Sequence, residues 1–319
     1  MEQWTNYWQH TRALNSFSEG ESALGYHGEL RDYWHNKIAG LPKNANVLDV
    51  GTGNGALAVL CFQYSAIHQY SWEISAIDAA DIRPQQNQYS DESINSALKS
   101  ISFFGNTQIE KTHFDPQSFD LICSQFALEY SDLSQSLIEC IRLLKPKGRL
   151  VAMLHYEHSN IAAHSRSEKR ALDLFFNEAD FLARVQEILD LVSQCMSQRE
   201  NIQTNDDFKS LNSLLLQKVR DLGELAKDGH CEAAFNEILS QIAPLLYELR
   251  IENRAIFKKY VKQLNFHRMR LEDQLNAVVD SARKQSIEAI LGTLGVECSF
   301  SEIVIDKECF GIVLEVNNR

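Results

Sequence analysis

The run Val47-Leu48-Asp49-Val50-Gly51-Thr52-Gly53-Asn54-Gly55-Ala56 decides the fold. Val47–Val50 reads as a short strand, three glycines follow at alternate positions, and helical spacing begins at Gly55. Glycine reaches positive φ without steric cost, and without a Cβ it lets a ligand approach bare backbone. A helix starting at that turn has amide N–H groups free at its N-terminus. A strand, a glycine turn and a helix in this order open a β-α-β unit.

Downstream, Ile74–Ile77, Ile101–Phe104, Phe119–Cys123 and Arg149–Leu154 read as further strands. Helical segments separate the strands at Gly55–Tyr64, Glu92–Leu98 and Leu133–Leu144, the rhythm of a parallel sheet. Upstream, residues 1–45 hold Trp4, Tyr7, Trp8, Phe17, Tyr26, Tyr33 and Trp34, are expected to form one or two helices around a loop at Ser16–Gly28, and stop at Leu41-Pro42-Lys43. After Asn160 the spacing becomes helical: Leu172, Phe175, Phe176, Ala179, Leu182, Val185, Leu189 and Val192, then Phe208 to Leu222, then Phe235 to Ile242. Pro244 is expected to start or interrupt a helix, and one long helical pattern is expected from Leu245 through Leu264 and Leu271 to Leu291. Val296–Ile305 and Phe310–Val316, flanking Asp306-Lys307-Glu308, read as a closing antiparallel hairpin. The expected division is a cap segment over 1–45, a core over 46–159 and 286–319, and a helical insertion over 160–285.

The glycines alone leave the ligand open, because G-x-G-x-x-A also satisfies the loose dinucleotide fingerprint and so allows an NAD-dependent oxidoreductase. Asp78 closes the second strand 23 residues beyond Gly55, where a carboxylate can accept hydrogen bonds from ribose hydroxyls. A nucleoside ligand follows, without its name.

Phe119-Asp120-Leu121-Ile122-Cys123-Ser124, then Leu143-Leu144-Lys145-Pro146-Lys147-Gly148-Arg149-Leu150-Val151, with the glycine loop upstream, resembles the class I S-adenosylmethionine-dependent methyltransferases. The resemblance covers roughly residues 45–155 and the terminal hairpin. It implies an α/β fold: a doubly wound, seven-stranded, mostly parallel sheet with an antiparallel last strand, Rossmann-like, here carrying a large all-helical insertion after the fifth strand. It implies S-adenosylmethionine as cofactor and S-adenosylhomocysteine as product. Asp49, Gly51, Thr52, Gly53 and Gly55 would shape the loop around the methionine part, and Asp78 would hold the ribose. Asn106, in Gly105-Asn106-Thr107 after the third strand, would meet the adenine amino group, which its amide can accept from. Ser124, Gln125 and Phe126 would face the methyl group and the acceptor.

His155, Tyr156 and His158 follow the fifth strand at the mouth of such a site and are the candidates for removing a proton from the acceptor. Glu129 and Tyr130, one turn past the fourth strand, are explained as well by packing as by catalysis. A base is not obligatory, since positioning alone supplies roughly 7–11 kcal/mol of such a barrier. No metal site is expected.

Of the 319 residues 44% are hydrophobic and 23% charged, which excludes disorder and collagen-like repeats. No apolar stretch reaches ~18 residues, and the N-terminus lacks the basic start and apolar run of a signal peptide, so the expected setting is cytoplasmic with no membrane partner. The seven cysteines are scattered and contain no C-x-x-C pair, so neither a disulfide framework nor a zinc knot is indicated. A net charge of −12 argues against a surface that grips nucleic acid throughout, but between 160 and 290 the balance is 18 basic against 20 acidic residues. Within 250–270 seven basic residues face one acidic one, Glu252, and Arg250, Arg254, Lys258 and Lys262 recur every four residues on one helical face. The expected function is methyl transfer to an O, N or C atom of a small organic molecule, because the acidic core offers nothing to hold nucleic acid. An RNA or protein acceptor held by the 250–270 helix is the second reading. A non-catalytic scaffold of the same fold, with the helical block as partner or homodimer surface, is the third.

Overall fold

A computed structural model describes residues 1–16, 23–177 and 180–318. Phe17 and Ala179 of the sequence reading therefore lie outside the described residues. The chain divides into two compact units, residues 1–162 with 276–319, and residues 163–275. The second is shorter at both ends than the helical stretch 160–285 read from the sequence.

The first unit is built on a seven-stranded sheet: β1 (Asn46–Val50), β2 (Glu73–Ile77), β3 (Ser102–Phe104), β4 (Phe119–Gln125), β5 (Leu144–Leu154), β6 (Cys298–Ile305) and β7 (Glu308–Asn317). Their order is β3-β2-β1-β4-β5-β7-β6; the first five are mutually parallel, and β7 runs antiparallel to both β5 and β6. This is the doubly wound α/β sheet expected. The order reverses between β1 and β4, where Val50 pairs with Ser124, and a ligand crevice opens beyond the carboxyl ends of strands at such a point.

Side-chain alternation along the strands feeds two apolar layers. Val47, Ala76, Leu121, Cys123, Val151 and Met153 point to one face and meet α2 (Gly28–Ile38), α3 (Ala56–Ile67) and α4 (Glu92–Ser100), reached by way of the N-terminal α1 (Glu2–His10). Leu48, Val50, Ile77, Ile122, Leu150 and Ala152 point to the other, which α5 (Leu133–Leu143) covers with Leu137 and Cys140. With both faces buried, the strands read as near-continuous apolar runs. Asp91 and Asp132 cap α4 and α5 by accepting backbone N–H bonds from Ser93, and from Ser134 and Gln135. Each cap is worth about 1 kcal/mol. The β6–β7 turn holds Asp306 and Lys307 at φ 51° and 68°, the left-handed geometry of a tight hairpin.

The helical region comprises α6 (Asn160–Asn177), α7 (Phe181–Gln198), α8 (Asp206–Asp228), α9 (Glu232–Tyr247), α10 (Asn253–Ala277) and α11 (Ser281–Thr293). The second unit has its own core, in which Phe175 stacks on Phe235 at 4.9 Å and meets Phe181 edge-on. Two expectations are corrected. Pro244 sits inside α9, one turn before its end. The N–H that proline lacks would have bonded the carbonyl of Ser240, which is exposed and can turn to water. The run from Leu245 to Leu291 is not one helix: α9 ends at Tyr247 and α10 begins at Asn253, and Val279 then leaves helical geometry to bridge Tyr156 before Asp280 caps α11 through Arg283 N–H. α11 consequently belongs to the first unit, where Ile287 and Leu291 join the core beneath α5. Among the described residues no helix is long and apolar enough to cross a membrane, and no group of three or more His, Cys, Asp or Glu could hold a metal ion.

Candidate functional site

Gly51, Gly53 and Gly55 take φ of 69°, 54° and 98°, so each occupies backbone space that a side chain would strain. A Cβ on Gly51 would run into Ala127 Cβ, one on Gly53 would lie 2.5 Å from the Trp8 indole, and one on Gly55 would lie 2.9 Å from the Phe103 ring. The loop is thus a cradle with three neighbours at contact distance.

Two buried carboxylates shape it. Asp49 Oδ2 accepts from Thr52 Oγ1 at 2.6 Å and from Ala58 N–H at 3.1 Å, tying the strand end to the first turn of α3. Burial pushes its pKa up to about 7, against the pull of those two bonds. Asp78 Oδ2 accepts from Gly53 N–H and Oδ1 from Ala80 N–H, both at 2.8 Å. Its pKa is also raised, again by burial opposed by the backbone bonds. Thr52 thus gives its hydroxyl proton to the carboxylate of Asp49 and keeps its oxygen as an acceptor. Asn54 donates from Nδ2 to the Ala13 carbonyl at 2.9 Å, while its Oδ1 is buried without a hydrogen-bond partner.

Asn106, exposed at φ 53°, donates its N–H to the Ala80 carbonyl, and Thr107 N–H donates to the Asp78 carbonyl, which lays the loop after β3 against the one after β2. Ser124 is fully buried: its Oγ donates to the Val50 carbonyl at 2.9 Å and accepts from Leu128 N–H at 3.2 Å, bracing β1 against β4. Gln125 Oε1 accepts from Trp34 Nε1. Phe126, at φ 54°, sets its ring 4.4 Å from the imidazole of His155 and 5.3 Å from Phe310.

The three residues after β5 part company. His155 is buried, and its backbone N–H and Nδ1 both bond Glu129 Oε1, at 2.8 and 2.6 Å. Tyr156 packs into the opposite apolar layer, its pKa raised by burial and then by Glu302. His158 is exposed beside Glu157. Only His155 is gathered with another titratable group under cover.

Glu129 and Trp8 gain roles the sequence did not give them. Glu129 is wholly buried with Oε2 unpartnered, and Arg283 of α11 holds its carbonyl at 2.7 Å. Trp4 and Trp8, four apart and hence on one face of α1, reach different parts of the same edge: Trp8 meets Gly53, and Trp4 meets Tyr130 edge-on at 5.4 Å. Their helical spacing was the available signal; what they face was not.

In the second unit Arg250 lies before α10, so the expected row of four on one helical face begins at Arg254, and several of these basic residues are already paired. Arg254 bonds Asp190, Arg268 bonds Asp173 at 3.3 Å, and Arg250 bonds Glu248 at 3.1 Å.

Residues 48–152 match the family model described as "Methyltransferase domain". No curated protein matches the chain. Similar solved structures include geranyl diphosphate C-methyltransferase from Streptomyces coelicolor A3(2), 14% identical over 48% of this chain and 63% of that one, with a TM-score of 0.35. An S-adenosylmethionine-dependent methyltransferase from Mesorhizobium loti is 18% identical over 40% and 53%, at 0.31, and the cyclase SpnF is 17% identical over 39% and 44%, also at 0.31. The chain spans less than two thirds of each of these. The matched residues 48–152 span β1 to β5 and carry the glycine loop, within a seven-stranded sheet of the Rossmann-like methyltransferase order.

Proposed function

We propose that the first unit binds S-adenosylmethionine across the carboxyl ends of β2, β1 and β4 and transfers its methyl group to a small organic molecule. The observation that carries this reading is the cradle of Gly51, Gly53 and Gly55 closed by Asp78, whose carboxylate fixes the Gly53 amide. The residues fit the cofactor. The three glycines let Ala127, Trp8 and Phe103 pack directly on the loop backbone, and each Asp78 oxygen keeps a second lone pair for a ribose hydroxyl. Asn54 Oδ1 offers a buried acceptor for the ammonium of the amino-acid end, and the Asn106 amide, in the loop after β3, is assigned to the adenine edge. Gln125 ends β4 and Phe126 follows it; both would border the methyl group, with Ser124 holding that strand end in place. Bound there, the cofactor supplies an electrophilic methyl on a sulfonium; the chain orients it and excludes water.

A small acceptor is favoured over RNA or protein by the paired state of Arg250, Arg254 and Arg268. The matched methyltransferase domain disfavours the dinucleotide reading of the glycines. Calorimetric titration with S-adenosylmethionine, S-adenosylhomocysteine and NADH, repeated on Asp78→Ala, tests the proposal. The first two should bind, more weakly to the variant, and NADH should not. Failure of both adenosyl compounds would leave a scaffold that keeps the fold without its chemistry.

A further inference from the structure

We propose that His155 is the group that takes the acceptor's proton, with Glu129 as its positioning residue, and that the acceptor accordingly presents a neutral O–H or N–H. The inference rests on the cofactor reading above.

Its basis is geometric. β1, β4 and β5 are consecutive in the sheet, so the glycine loop, the turn holding Glu129 and the residue after β5 line one edge, about 10 Å from first to last strand. Ala127 of that turn touches Gly51, and Tyr130 lies edge-on to His155 at 5.7 Å. Glu129 Oε1 bonds His155 at Nδ1. A carboxylate only accepts, so the ring proton is held on Nδ1 and the lone pair is left on Nε2. Phe126 on one face of the ring and Tyr130 at its edge fix its plane.

Burying Glu129 completely with Oε2 unpartnered is costly, and a neutral isostere would pack as well. The charge has a use if the imidazole becomes an imidazolium during turnover. The acceptor's lone pair then forms the new bond to the methyl carbon, the S–C bond breaks with its electron pair staying on sulfur, and the O–H or N–H proton passes to His155 Nε2. S-adenosylhomocysteine and the methylated product leave, and the imidazolium returns its proton to solvent. The charged and titratable groups around His155 are Glu129 and Tyr130 on the turn after β4, Tyr156 beside it in the chain, and Arg283 of α11, which bonds the Glu129 carbonyl.

The test needs no acceptor. S-adenosylmethionine carries a positive sulfonium and S-adenosylhomocysteine does not, so a protonated His155 at the methyl position repels the first and spares the second. The ratio of their dissociation constants, measured by calorimetry, is expected to be about tenfold higher at pH 5 than at pH 9. In His155→Asn most of that difference should vanish while S-adenosylhomocysteine still binds. In Glu129→Gln the difference should shrink, since the carboxylate that holds the ring is gone. A ratio independent of pH in the wild-type protein, or the same difference in His155→Asn, overturns the assignment and leaves the cofactor site standing. If neither compound binds the wild-type chain, the cofactor reading itself falls and takes the base with it. Should His155→Asn fail to fold, the wild-type ratio at the two pH values and its size in Glu129→Gln decide the matter.

Discussion

Trp8 rests on the bare backbone of Gly53: a Cβ at that glycine would stand 2.5 Å from the indole. The contact joins the first helix of the chain to the centre of the glycine loop, and it makes Gly53→Ala a double insult. Alanine at φ 54° costs about 1–2 kcal/mol in backbone strain, and the indole must also give way. The expected outcome is a Tm several degrees lower and S-adenosylhomocysteine affinity reduced about tenfold or more. Adding Trp8→Ala should recover the part due to the ring and leave the part due to φ. Wild-type affinity in Gly53→Ala would place the ligand elsewhere.

The same helix is fastened at Asp81. Asp81 N–H donates to Thr5 Oγ1 at 3.1 Å, and Gln9 Nε2 donates to the Asp81 carbonyl and to Oδ2 at 3.0 and 2.9 Å. Removing these partly exposed bonds with Thr5→Val and Gln9→Ala should cost about 1–2 kcal/mol locally. Hydrogen exchange over residues 2–10 is then expected to quicken roughly tenfold while the sheet keeps its protection. Equal acceleration in β1 and β4 would mean that α1 is part of the global fold rather than a cover over the loop.

What was legible in the sequence was local. Strand and helix periods, the glycines at 51, 53 and 55, and the Asp306-Lys307 turn each declare themselves within a few residues. The break at 278–280 did not, because the backbone of the distant His155 and Glu157 takes the hydrogen bonds of Val279. Pro244 misled for the opposite reason: its rule assumes a carbonyl that must be satisfied inside the helix, and Ser240 faces solvent. For Glu129 the sequence leaves packing level with catalysis, because nothing nearby in sequence reveals that His155, arriving from β5, meets it. The function of Ser124 went the same way, since its neighbours Val50 and Leu128 are brought by sheet pairing and by a turn.

Asp49 makes stability depend on pH in the less usual direction. Its folded pKa of about 7 lies above the unfolded value of 3.8, so the native state binds the extra proton between them. Stability from this group is present at low pH and lost as pH rises through about 7, amounting to at most about 4 kcal/mol. Asp78 adds to it in the same sense. His35, with its pKa lowered chiefly by burial, opposes it near pH 6.5, so the comparison must be between proteins. Urea unfolding at pH 5, 7 and 8.5 should show Asp49→Asn losing much of the decline seen in the wild type. Parallel curves for the two proteins would mean that Asp49 is ionised throughout.

The face of α10 sets the bound on any nucleic-acid reading. With Arg250, Arg254 and Arg268 engaged by Glu248, Asp190 and Asp173, its exposed lysines are Lys258, Lys259 and Lys262. Three phosphate contacts give a salt slope of only about −2 to −3 and no tight binding near physiological salt. The chain, at net −12, is therefore expected to retain no RNA on a filter at 0.15 M salt. Reversing the three lysines to glutamate should leave S-adenosylmethionine affinity unchanged. RNA retention by the wild-type protein that disappears in the reversed variant would turn the choice of acceptor from a small molecule to RNA, because three lysines suffice only when the acceptor site itself supplies the remaining contacts.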